Sequence, residues 1–275
     1  VSTPQDAERI AAMIGPLRLA RARARAARQA GAHPRRVAGP GAEFWQYRML
    51  NPGEAADKVD WRRSGRSDEL YVREREREDP VRLWLWSDAS ASMDYASDEA
   101  LPRKKALADT VIAALGLAAH EAGETCCFPP DPRPLRGDTL LAPQGPGDAP
   151  RLDAPGPADI VLAAGDFLGP RALDWIAPAA AAGAQGVVIA VADPAEIAFP
   201  FTGRVHFDAV EPGDRPFEAG RAEALGETYA AAWTAHRARL ADACNRPGWF
   251  LVEVVTGEDA AAHAAQIARW LRETA

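Results

Sequence analysis

The chain has 275 residues, of which 47% are hydrophobic and 26% charged, with a net charge of −7. That is enough sequence for one large or two modest domains with a real core. No run approaches the ~20 apolar residues of a membrane helix. VSTPQDAERI lacks the basic-then-apolar order of a signal peptide, so the expected location is cytoplasmic, without membrane insertion. Three Cys residues give neither a disulfide framework nor a zinc cluster. HExxH, GxxxxGK[ST] and GxSxG are all absent. Charge is uneven: residues 1–80 hold 16 Lys+Arg against 12 Asp+Glu, while residues 81–275 hold 16 against 27.

In chain order, residues 4–31 predict a helix whose apolar stripe is Ile10, Ile14 and Leu17. Arg18, Arg21, Arg25 and Arg28 share one face of that helix, which makes a solvated face or a contact for phosphate or acid. Gly31 to Gly41 is a break. Residues 42–80 carry short strand-like runs, and Trp45, Tyr47, Trp61 and Tyr71 are expected to form a small core among paired Arg and acidic residues. VRLWLWSD (81–88) is apolar on both faces, which suits a central strand of a parallel sheet covered by helices. A helix follows over 100–122, with Leu107, Val111, Leu115 and Ala118 as its apolar line. The remaining predicted strands are 125–128, 160–166, 186–193, 205–207 and 249–256. Between and after them lie a helix over 170–183, closed by Gly183, and helices over 219–244 and 258–273.

This alternation predicts an α/β fold with a doubly wound, mostly parallel sheet, plus an N-terminal helix and a small β-rich segment. The expected divisions are 1–40, 41–80 and 81–275. Ligands of such sheets sit at the carboxyl ends of the strands, where the sequence places Asp88-Ala-Ser90-Ala-Ser92-Met93 and Gly165-Asp166-Phe167. Alternate residues of an extended loop point the same way, so Asp88, Ser90 and Ser92 can offer three oxygens to one point and Asp166 a fourth. Hard oxygen ligands suit Mg²⁺, Mn²⁺ or Ca²⁺. The blander reading is a turn, capped by the serines, in which Asp88 accepts backbone hydrogen bonds.

G-A-E-F (41–44), Arg48, P-G-E (52–54), V-D-W-R-R-S-G-R (59–66), Y-V-R-E-R-E (71–76), S-D-A-S-A-S-M (87–93) and Lys104 occur in an order that resembles a bacterial family. That family is known as domain of unknown function 58, and its members carry a von Willebrand factor A-like domain. Asp166 matches the later Ser-Asp position of the family, while Glu54 and Gly65 depart from its usual Asp and Ala. The resemblance implies a metal-ion-dependent adhesion site at Asp88, Ser90, Ser92 and Asp166. It also implies a non-enzymatic role as adaptor or co-chaperone of a MoxR-type AAA+ ATPase, binding that ATPase or its client. Von Willebrand factor A domains add a Thr to the metal. Thr139 is the nearest candidate here and a poor one, so the metal is expected to be weakly held or absent. The alternative is a Mg²⁺-dependent hydrolase or phosphotransferase built on Asp88 and Asp166, against which stands the lack of a general base or His in either loop. Nucleic acid is not an expected partner, given the net charge.

Overall fold

A computed structural model describes residues 4–19, 44–50, 59–65, 69–75, 81–142, 149–209 and 215–274. The chain divides into two compact units, residues 1–22 with 81–275, and residues 23–80.

The larger unit is built on five strands: β3 (Arg82–Ser87), β4 (Thr125–Cys127), β5 (Asp159–Gly165), β6 (Gln185–Ala192) and β9 (Trp249–Val255). They run in the order β4-β3-β5-β6-β9, and every pairing is parallel. The sheet is a doubly wound α/β sheet, with helices on both faces. On one face, Leu83, Leu85, Ile160, Leu162, Val187, Ile189, Val252 and Val254 pack with α1 (Pro4–Ile14), α3 (Lys104–Glu121) and α7 (Ala260–Thr274). On the other, Trp84, Trp86, Val161, Ala163 and Val188 pack with α4 (Ile176–Ala181) and α6 (Gly226–Cys244). The period-2 alternation of β3 therefore feeds two cores, and its two indoles are fully enclosed. Burying each large side chain contributes about 1.5–3 kcal/mol or more. Neither indole N–H finds a hydrogen-bond partner among the described residues, so these tryptophans serve here as apolar volume.

The first helix is shorter than the sequence pattern predicts. It ends at Ile14, because Gly15 takes φ +66° and Pro16 follows, a left-handed stop that cannot continue a helix. Residues 15–19 run on without regular structure. Leu17 donates its N–H to the Ala118 carbonyl and Leu19 its N–H to the buried Glu124 carboxylate, which also accepts from Val81. Arg18 thus leaves the expected helical face, and Arg21, Arg25 and Arg28 lie outside the described residues. The other helices also start later than the apolar pattern suggests: α3 at Lys104, α4 at Ile176, α6 at Gly226 and α7 at Ala260. The strand at 205–207 (β7) pairs antiparallel with Phe217–Ala219 (β8), which the sequence reading did not foresee. α5 (Pro194–Ala198) was likewise not foreseen.

The smaller unit pairs β1 (Phe44–Met49) antiparallel with β2 (Tyr71–Arg75), with a one-turn helix α2 (Trp61–Ser64) capped by Asp60. Among its described residues, the buried apolar side chains are Val59 and Val72. Trp61 is 64% exposed and Tyr47 39%, so the aromatic core expected there does not form around them. Instead Arg63 stacks over the rings of Tyr47 and Tyr71 at 5.6 and 5.4 Å, a solvent-side cation–π arrangement. The side chain of Trp45 lies outside the described residues.

Candidate functional site

Numbered within the five-stranded sheet, the strand order is 2-1-3-4-5, and it reverses between β3 and β5. Connections leaving those two strands diverge to opposite faces, which opens a crevice at their carboxyl ends. β3 delivers Asp88 to that crevice and β5 delivers Asp166. The Asp88 N–H donates to the Ala164 carbonyl at 2.8 Å, which fixes the two strand ends in register.

Asp88 is 1% exposed. Its Oδ1 accepts the Ser90 N–H at 2.7 Å, a tight Asx turn that folds the loop back over the carboxylate. The other side of the carboxylate lies against Gly165, where a Cβ would come within 2.8 Å of the Asp88 Cβ and 3.0 Å of its Oδ2. Gly165 is thus a position at which the strand must lack a side chain for Asp88 to sit where it does. Ser90 precedes a 3-10 turn at Ala91–Met93, but its side chain makes no capping bond to that turn. Its hydroxyl lies 3.1 Å from that of Ser92 instead. The capped-turn reading therefore holds for Asp88, which accepts the Ser90 N–H, and fails for the Ser90 side chain. Both serines are half-buried, whereas Met93 beneath them is fully enclosed.

Asp166 is 6% exposed and enters a set of groups that sequence reasoning gave no role. Its Oδ1 accepts the Leu168 N–H at 3.2 Å and its Oδ2 accepts the Lys104 ammonium at 3.0 Å. Lys104, fully buried at the start of α3, also donates to Glu196 of α5 at 2.6 Å. Burial alone pushes the Lys104 amine down, and the charges of Asp166 and Glu196 push it further back up, so it stays an ammonium. Burial, with the Asp166 charge, raises the Glu196 carboxyl more than Lys104 and the Asp193 N–H lower it. The two trends oppose each other, and the short contacts to both oxygens favour the fully charged set.

One strand further along, Asp193 follows β6. It is fully buried and accepts from the Ser97 N–H at 3.0 Å, the Ala195 N–H at 2.8 Å and the Thr256 hydroxyl at 3.1 Å. It thereby ties the loops after β3, β6 and β9 into one rim. Burial raises its carboxyl, the hydrogen bonds from Ser97, Ala195 and Thr256 outweigh that, and the net shift is downward. On the α6 face, the buried His236 ring bonds the Asp166 backbone carbonyl, and it borders a cavity of about 120 Å³ shared with Asp166, Trp233, Ile197 and Val255. Thr139 is exposed, and it exchanges hydrogen bonds with the backbone N–H and carbonyl of Arg136. Cys126 and Cys127 are buried, with thiols pushed up to about 12 chiefly by desolvation, so they act as core filler.

The comparisons with known proteins bear on part of this arrangement. Residues 46–128 match the family model described as "Protein of unknown function DUF58". The matched segment contains Asp88, Ser90, Ser92 and Lys104, and it ends before Asp166 and Glu196. The chain is similar to the uncharacterized proteins Mb1516 of Mycobacterium bovis, and MT1527 and Rv1480 of Mycobacterium tuberculosis. Each is 29% identical over 262 residues, covering 83% of this chain and 79% of the relative. No solved structure matches the chain.

The residues at the crevice fit a hard divalent cation in kind. They supply one carboxylate, two hydroxyls 3.1 Å apart and, at the end of the neighbouring strand, a second carboxylate that Lys104 and the Leu168 N–H already engage. No cluster of three or more His, Cys, Asp or Glu with metal-holding geometry exists among the described residues, so any such ion depends on the serine hydroxyls and water. Among the described residues, no helix is long and apolar enough to cross a membrane.

Proposed function

We propose that the larger unit is a von Willebrand factor A-like, non-enzymatic protein-binding module. In this reading it holds Mg²⁺, or Mn²⁺ or Ca²⁺, through Asp88, Ser90, Ser92 and, less directly, Asp166. The observation that carries this reading is the pair of serine hydroxyls 3.1 Å apart, with Ser90 making no side-chain cap to the local turn, beside a buried carboxylate at the switch point of the sheet. A cation held by so few protein oxygens keeps exchangeable waters, and a carboxylate from another protein can replace one of them. Asp94, Asp98 and Glu99 surround the loop, which favours one presented carboxylate in neutral or basic surroundings over a broadly acidic partner. A MoxR-type AAA+ ATPase, or a client delivered to it, is the proposed partner, and the cytoplasm the proposed location. The hydrolase alternative gains a histidine in His236, but that ring is buried and engaged with the Asp166 backbone and Arg239.

Thermal denaturation with and without millimolar Mg²⁺ tests the site. Binding to the folded state alone raises the midpoint, and Asp88→Ala is expected to abolish the rise. Identical responses of wild type and Asp88→Ala would overturn the metal site. A pull-down with Mg²⁺ or with EDTA tests the partnership. Equal recovery of the ATPase in EDTA would move any contact to another face.

A further inference from the structure

Lys104 is the first residue of α3, at the end of the helix whose dipole is positive and disfavours a cation. It is nevertheless the sole ammonium in the buried set described above, and its side chain is 0% exposed. Its place is explained by what it binds: Asp166 Oδ2 at 3.0 Å and Glu196 Oε1 at 2.6 Å. The remaining Asp166 oxygen accepts the Leu168 N–H. Both oxygens of the proposed outer metal ligand thus already hold a protein donor, and each has one acceptor direction left. A divalent cation beside Asp88 would also face a fixed positive charge across Asp166, in surroundings poorly screened by water.

We infer that Lys104 is a built-in competitor for the metal. It claims the Asp166 carboxylate and holds the affinity of the Asp88–Ser90–Ser92 loop for a bare divalent cation low, so that a partner's carboxylate is required to complete tight binding. This rests on the metal-dependent reading of the site and adds to it a reason for coupling: metal and partner bind together or weakly. Glu196 is the second anchor of the competitor, which places α5 under the control of the same ammonium.

The test is a Mn²⁺ titration of the full chain, with free Mn²⁺ read by its electron paramagnetic resonance signal. Lys104→Gln removes the charge and keeps an N–H donor on a side chain one atom shorter. Lys104→Gln/Glu196→Gln also removes the carboxylate that the first change orphans, and stands in where the single variant fails to fold, as judged by a cooperative melt. Each is paired with Asp88→Ala to assign the binding to this loop. Removing one neighbouring like charge in a partly buried site is expected to tighten Mn²⁺ binding at least ~tenfold, in an Asp88-dependent way. Tight Asp88-dependent binding by the variants with none by wild type supports the inference and refutes metal loading of the natural chain alone. Asp88-dependent binding by wild type that is equal or weaker in the variants overturns the inference and leaves the metal site standing. Absence of Asp88-dependent binding in every protein overturns both.

Discussion

Replacing Gly165 with Ala probes how closely the two strand ends approach. The added Cβ would meet the Asp88 Cβ at 2.8 Å and its Oδ2 at 3.0 Å, distances at which something must move. Asp88 cannot yield easily, because its N–H is fixed to Ala164 and its Oδ1 to the Ser90 N–H. Overpacking of this kind costs about 2 kcal/mol. Gly165 is not among the residues with positive φ, so Ala also gains roughly 0.5 kcal/mol by restricting the unfolded chain. The net loss is then about 1.5 kcal/mol, or roughly 3–6 °C in midpoint for a domain of this size. Gly226→Ala is the control: that glycine has helical φ and ψ of −55° and −45° and nothing within 4 Å of a Cβ, so its midpoint should hold or rise. Thermal denaturation followed by circular dichroism reads both. In an Asp88→Gly background the colliding atoms are gone, and Gly165→Ala should be neutral or stabilising. An equal loss in that background would refute the contact with Asp88 as the source of the cost.

Three further outcomes follow from the buried rim. Asp193→Ala orphans two backbone N–H groups and the Thr256 hydroxyl, each worth about 1–3 kcal/mol when left unpaired, so urea unfolding should show a loss of about 3 kcal/mol or more. The Asp193 carboxyl is held below its ordinary 3.8, so its stabilisation is present above that pH and is lost as pH falls through the lower folded value; the acid limb of wild type should be steeper than that of Asp193→Asn. Burial, then the Arg239 charge, hold His236 below its ordinary 6.5, so the stability it contributes is present above that pH and falls away as acid protonates the ring. Wild type should therefore lose more midpoint between pH 7 and 5 than His236→Gln, and parallel curves would show that the ring is not buried neutral.

The sheet was legible in the sequence because its strands are apolar on both faces, a pattern no amphipathic surface element shares. VRLWLWSD and IVLAAGD name their own positions near the middle of the sheet, and the structure puts them side by side. Helix boundaries were less legible because alanine is compatible with either state. The run through residue 31 looks continuous until Gly15-Pro16 is read as a stop, and a Gly-Pro pair outranks any apolar stripe that continues past it. Trp61 and Tyr47 misled for the opposite reason: aromatic residues in a polar block suggest a core, yet among the described residues of that unit the buried apolar side chains are Val59 and Val72.

The site was half legible, and the missing half follows a rule. Asp88, Ser90, Ser92 and Asp166 lie at the ends of strands adjacent in the sheet, and strand ends can be read along the chain. Lys104, Glu196 and His236 reach the same rim from helices, and their relevance depends on which helix end meets which loop. A signal existed for Lys104. Only three lysines stand among 32 basic residues, and this one opens an apolar helix at the end where its charge is least welcome. A cation in that place must be held by carboxylates supplied from elsewhere. The strand ends Gly165-Asp166 and Ala192-Asp193-Pro194-Ala195-Glu196 were the available suppliers. The two ionic partners that the structure gives Lys104 come one from each of those segments. The matched family segment includes Lys104 but not its partners, whereas the electrostatic misplacement of a cation against its own helix is a signal for the buried carboxylates that hold it.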